Sequence, residues 1–243
     1  MSVRIRPLSG LLLALAVALA PSPGFGELGE RFVDPGNGFS IRPPQGWVVL
    51  ANPAAGVSVA FRGPQEGDFA PSINVAVLPT PLEITPQVIR RAVDELRAQF
   101  EGGSPPPLAK DIAGQVPPIS NYRVTNGRIV TLFGGNAGFL ESTYEQGDGN
   151  RRNRVRNFQT IVSGAGCHYV ITYTAPENRY DRYLGLAHDS VNSFTAGAAP
   201  RGAGAPPRRW TDYGQPVGAV LSLILITGFM MFLWRRAKRR RRR

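Results

Sequence analysis

The chain has 243 residues, with 28 Lys or Arg against 17 Asp or Glu and a formal net charge of +11. Eight of the basic residues crowd into positions 235–243 and two more are Arg4 and Arg6, which leaves 18 against 17 and a nearly neutral body. Recruitment of DNA or RNA requires a basic face, so no nucleic-acid partner is expected, and a single cysteine, Cys167, excludes an internal disulfide framework.

Residues 1–26 read as a signal peptide: Arg4 and Arg6, then an apolar run from Leu11 to Ala20. Ten residues are too few to cross a bilayer comfortably and suit a secretory segment. Small residues permit cleavage after Ala20 or after Gly26. The second is preferred, because Pro21 would follow the first cut. Residues 27–196 are expected to form one extracytoplasmic α+β domain, large enough for a core of its own.

Within it, Val57, Val59 and Phe61, and then Ile73, Val75 and Val77, alternate with period two, as half-buried strands do. A helix is expected over "TPQVIRRAVDELRAQF". Thr85 caps it and Pro86 takes the first helical position, where a missing N–H costs nothing. Val88, Ala92, Leu96 and Phe100 form its apolar stripe, with Ile89 and Val93 beside it. "GRIVTLFG", "GFLESTYEQ", "RVRNFQTIV" and "CHYVITYT" follow as a strand meander with "GDGN" and "SGAG" as turns. A second helix, "NRYDRYLGLAHDSVNSF", carries Tyr180, Leu184, Ala187, Val191 and Phe194 on one side. Each narrow stripe is expected to cover one side of the sheet.

The stretch "NGFSIRPPQGW", with Phe39, Ile41, Pro43 or Pro44, Gly46 and Trp47, resembles the opening of PsbP-like and DcrB-like domains. The order that follows is also similar over about residues 30 to 196: strands, a helix opened by Thr-Pro, a meander ending near "YVITYT", and a helix ending in "SVNSF". The resemblance implies an antiparallel β-sheet sandwiched between helices. It also implies a protein that acts through binding, as envelope-associated proteins and accessory subunits of membrane complexes do. It names no partner.

Residues 197–216 are a Gly/Ala/Pro-rich linker which, as a coil, would span about 25 Å. Residues 217–234 carry no charge. As a helix they reach about 27 Å, near the hydrocarbon thickness of a bilayer. Trp210, Tyr213 and Trp234 flank this transmembrane segment as interfacial aromatics. The tail of Arg235, Arg236, Lys238, Arg239, Arg240, Arg241, Arg242 and Arg243 would hold the C-terminus in the cytoplasm and attract anionic lipid. The expected topology is single-pass in the cytoplasmic membrane with the large domain outside, and the bilayer is the first partner. A membrane-protein complex is the second.

Chemistry is sparse. No GxSxG, SxxK, P-loop, GxGxxG or CxxC occurs, and neither His168 nor His188 has a ligand at metal-binding spacing. Cys167 and His168 adjoin on a strand and point to opposite faces, so they form no dyad. Cys167 reads as a small buried hydrophobe. Glu141 and Glu145 share a strand face and read as solvating acids. Arg152, Arg154 and Arg156 alternate into a row, read either as charge protecting an edge strand or as a contact for lipid headgroups, a cell-wall polymer or an acidic partner. No catalytic residue, cofactor or metal is expected. The functional expectation is a non-enzymatic binding or assembly module. The alternatives are an exported hydrolase and a surface protein with a processed C-terminal sorting signal.

Overall fold

The computed structural model describes residues 26–54, 57–67, 69–100, 119–148 and 151–197. The expected export segment, linker, spanning helix and basic tail lie outside the described residues, apart from Gly26 and Gly197 at their borders. Among the described residues no helix is long and apolar enough to cross a membrane.

Among the described residues, two antiparallel sheets and two α-helices make up the domain. Three short strands, β1 (Phe32–Asp34), β2 (Phe39–Ile41) and β10 (Thr195–Ala196), form a small sheet ordered β1-β2-β10. The large sheet has seven strands: β3 (Val48–Ala54), β4 (Val57–Arg62), β5 (Ser72–Leu78), β6 (Ile119–Leu132), β7 (Gly135–Asp148), β8 (Arg151–Ser163) and β9 (His168–Pro176). Their order is β3-β4-β5-β9-β8-β7-β6. Each half is a meander of sequence neighbours, and the halves meet only where β5 pairs with β9, from Ser72 opposite Thr174 to Leu78 opposite His168.

Both faces of the large sheet are covered, and alternate residues serve different cores. Ile73, Val75, Phe158, Tyr169, Ile171 and Tyr173 point toward the small sheet and α2 (Tyr180–Asn192). Ala76, Ile161, Val170, Leu140 and Tyr144 belong to the opposite core, under α1 (Pro86–Phe100). β4 and β5 are therefore buried on both sides rather than half-buried, as the period-two reading had it. The residues between the large apolar ones are small, Ser58 and Ala60, and they too are covered.

α1 begins where Thr85 and Pro86 place it, with Thr85 Oγ1 accepting from the Val88 N–H at 3.2 Å. Its buried line is Ile89, Val93 and Leu96, while Val88, Ala92 and Phe100 are half-exposed, so the docked stripe is turned from the expected one. Two glycines account for the seat. A Cβ on Gly127 would stand 2.4 Å from Val93 Cγ2, and one on Gly138 would stand 2.4 Å from Ile89 Cδ1. α2 follows a 3-10 turn, Glu177–Arg179, and buries Tyr180, Tyr183, Ala187, Ser190 and Val191. Phe194, just past the helix, is fully buried against Phe39, Tyr169 and Phe133, with ring centroids 5.7, 5.2 and 6.0 Å away.

The β6–β7 hairpin turns through Phe133 and Gly134, with φ of +55° and +74°. A two-residue connection of this kind wants positive φ at both centres. Gly134 supplies it freely, whereas Phe133 is a bulky residue in a region that costs about 1–2 kcal/mol.

Candidate interaction site

On the face of the large sheet that carries α2, the end nearest Tyr180 is charged rather than apolar. β7 contributes Glu141 and Glu145 and β8 contributes Arg152, Arg154 and Arg156, all brought to one face by the period of two. The register places Glu145 opposite Arg154 and Thr143 opposite Arg156. The ion pairs nonetheless run diagonally, as long side chains on neighbouring strands can. Arg156 Nη2 donates to Glu141 Oε1 at 2.7 Å, and Arg152 Nη1 reaches Glu145 Oε2 at 3.5 Å. Arg154 turns the other way and meets Glu177 Oε2 at 3.0 Å.

β8 lies between β7 and β9, so the row does not line the edge of the sheet. It is split instead. β9 accompanies β8 only from Val155 onward, so Arg152 and Arg154 stand on an overhang flanked by β7 alone, while Arg156 lies inside the paired region. Exposure follows: the side chains of Arg152 and Arg154 are 54% and 69% exposed, that of Arg156 34%.

Arg156 is held from several sides. Its guanidinium sits 4.3 Å from the Tyr180 ring centroid and 3.8 Å from Asp181 Oδ1, in addition to two bonds to Glu141 Oε1. Burial acts to lower its pKa, but the Glu141 bonds and charge outweigh this and hold it above the ordinary arginine value. Tyr180 donates its hydroxyl to the same Glu141 oxygen at 3.2 Å, and burial, then the Glu141 charge, raises its pKa. Glu141 and Glu145, expected to be exposed solvating acids, are half-buried partners of these arginines. Glu141 Oε1 is crowded with donors, an arrangement that fixes the carboxylate in place.

The two histidines are placed apart. His188 stacks on Phe158 with centroids 4.9 Å apart and planes 5° from parallel, and burial lowers its pKa. His168 lies on the opposite face, where its Nδ1 donates to the Thr80 carbonyl at 2.7 Å, and burial lowers its pKa too. Cys167 is fully buried, and burial pushes its thiol up, away from the thiolate. Among the described residues, no three His, Cys, Asp or Glu side chains gather as metal ligands. A shallow depression on the outer side of α1, lined by Gln87, Arg90, Arg91, Asp94, Glu95 and Ala98, carries charges of both signs.

Sequence reasoning missed a second charged junction. Glu66 accepts from Arg182 Nη1 at 2.8 Å and from the Tyr183 hydroxyl at 2.6 Å, with Arg179 at 3.5 Å. It pins the segment after β4 to α2. Its residues are more than a hundred positions apart, and no spacing rule links them.

What the charged face can do chemically is offer guanidinium groups. The pairs of Arg152 and Arg154 are surface pairs, each worth about 0–1 kcal/mol, so an incoming phosphate or carboxylate can replace the protein acid. Arg156 is committed to the fold. Arg156→Gln is expected to cost about 1.5–3 kcal/mol, the range of a lost hydrogen bond to a charged group. The Arg152→Gln, Arg154→Gln double variant is expected to melt within a few degrees of the parent. Differential scanning calorimetry of the 27–197 domain separates the two, and equal shifts would show that the row is one structural unit.

No family model matches the chain, and no curated protein matches it. Among solved structures it is similar to cyanobacterial PsbP (CyanoP) from Synechocystis sp. PCC 6803, with 18% identity over 69% of this chain and 91% of that one and a TM-score of 0.46. It is also similar to LpqN, a protein involved in cell envelope biogenesis of Mycobacterium tuberculosis, with 16% identity, the same coverages and a TM-score of 0.43.

Proposed function

We propose that the chain is a membrane-anchored extracytoplasmic binding or assembly module, without enzymatic activity, that presents Arg152 and Arg154 to an anionic partner. The observation that carries the anchoring is the uncharged run 217–234 followed by eight basic residues in nine. Such a run is long enough to cross the hydrocarbon, and the basic side stays in the cytoplasm. Support for binding comes from the charged face. Its acids are engaged by Arg and Tyr donors, and its two outermost guanidinium groups are the ones with least holding them. Guanidinium suits phosphate and carboxylate through paired N–H donors, so lipid headgroups and an acidic subunit are the partners of matching chemistry.

Topology is tested by protease protection of the intact protein in membranes. The domain is expected to be digested from outside. Exchanging the eight tail Lys and Arg for Ser or Gln should weaken that orientation, and a domain protected inside in the parent would overturn the localisation. The partner is tested by crosslinking in membranes and identifying what is captured, with and without the Arg152→Gln, Arg154→Gln pair. Capture that is unchanged by the double variant removes those arginines from the contact.

A further inference from the structure

The hairpin tip at Phe133 carries a side chain that does not suit the turn and is only partly taken up by packing against Phe194. Phe133 is 48% exposed although it is large and apolar. It occupies a positive-φ position where Asn would suit the turn better, since Asn-Gly is the favoured pair for such a connection. The chain is uncharged from Ile129 to Leu140, between Arg128 and Glu141, and Thr131, Gly134, Gly135 and Asn136 around the tip are exposed. The ring of Phe133 touches that of Phe194. The next two residues, β10, pair with β2, and the Gly197 N–H donates to Gly38 O at 2.6 Å. The tip thus stands beside the point where the domain hands over to residues 198–216. From Gly197 the apolar run is reached at Val217, and a coil of that length spans about 25 Å.

We infer that the Phe133–Gly134 tip is a membrane-contact device: an aromatic wedge that enters the interface of the bilayer in which 217–234 is anchored, and so sets the orientation of the domain on its tether. The inference rests on the anchoring proposed above. An uncharged tip with one aromatic, close to the tether, suits the headgroup boundary, where amphipathic loops gain by burying apolar area and aromatic rings collect. Once seated, the tip fixes a second point of the domain relative to the membrane. The charged face of β7 and β8 then no longer rotates freely about the linker.

The test uses the full chain in phosphatidylcholine vesicles containing a lipid with a nitroxide at its headgroup. The probe is an environment-sensitive fluorophore on Asn136→Cys in a Cys167→Ala background. With Phe133 present, the probe is expected to shift to the blue and lose emission to the nitroxide. Phe133→Asn should abolish both effects while the domain's melting temperature stays within a few degrees of the parent, because the better fit of Asn to the turn offsets the lost contact with Phe194. Phe133→Trp should keep both. Extraction at alkaline pH is run in parallel. A chain that washes out of the vesicles removes the anchor, and the proposal falls with it. A chain that stays in while its probe is unquenched with Phe133 present overturns the tip alone. A quenched probe that ignores the Phe133→Asn change also overturns it, since the domain would then lie on the membrane without the ring.

Discussion

Phe194→Ala is expected to destabilise the 27–197 domain by about 3–5 kcal/mol, with a drop in melting temperature on the order of 10 °C. Phe194 is fully buried and sits among three aromatic rings contributed by β2, β9 and the β6–β7 tip. The backbone there is pinned: Phe194 N donates to Val191 O, and Gly197 N donates to Gly38 O. The surroundings therefore have little freedom to collapse into the space the ring leaves, which puts the cost at the upper part of the range for large-to-small changes. Denaturant unfolding of the parent and variant measures it. A change under about 1 kcal/mol would mean that the small sheet does not close on the large one as described.

Gly63→Ala is expected to cost about 1–3 kcal/mol, the range of overpacking. Gly63 follows β4, with its N–H donated to Pro71 O at 2.8 Å. A Cβ built there would stand 2.8 Å from Pro71 Cγ and 2.9 and 3.0 Å from the Trp47 ring. These neighbours are rings and not the ends of flexible chains, so neither can swing aside. The gain of about 0.4–1 kcal/mol from a stiffer unfolded chain is smaller than the clash. Trp47 also meets Tyr183 edge-on at 6.0 Å, so displacing it disturbs α2. Because Trp210 and Trp234 lie beyond residue 197, the tryptophan fluorescence of the 27–197 domain comes from Trp47 alone. A shifted emission together with a lower unfolding midpoint is the expected signature. An unchanged midpoint would show that the ring has slack the packing does not suggest.

The parts legible in the sequence were those decided by neighbours along the chain. Thr85 and Pro86 start α1 through local hydrogen bonding and local φ, and a reader of the sequence has both facts in hand. The even spacing of Arg152, Arg154 and Arg156 gives a shared face for the same reason. What the spacing could not give is the partner. Glu177 reaches Arg154 from a 3-10 turn, and Glu141 reaches Arg156 diagonally, because the register of β7 against β8 fixes the offsets. The small sheet was illegible: β10 is two residues long and exists because Thr195 and Ala196 find Ser40 and Phe39 across the whole length of the domain. Burial of β4 and β5 on both faces was missed because Ser58 and Ala60 look polar or neutral. Ser58 becomes a core residue only when Asp34 and Asn37 arrive from the small sheet to bond its hydroxyl.

The seam between β5 and β9 has a consequence for how the domain forms. On one side, β3, β4 and β5 are consecutive hairpins, and on the other so are β6 to β9, each able to assemble from contacts close in sequence. Joining them brings Ser72 to Thr174. Closing a loop of roughly a hundred residues costs about 4 kcal/mol on the (3/2)RT ln n scale before any seam contact rewards it. The halves are quick to zip and the join is slow, as non-local pairing generally is. Until it closes, β5 and β9 are two apolar strands with open edges, the state in which such strands pair with the wrong chain. The seam is where the risk of misassembly is concentrated.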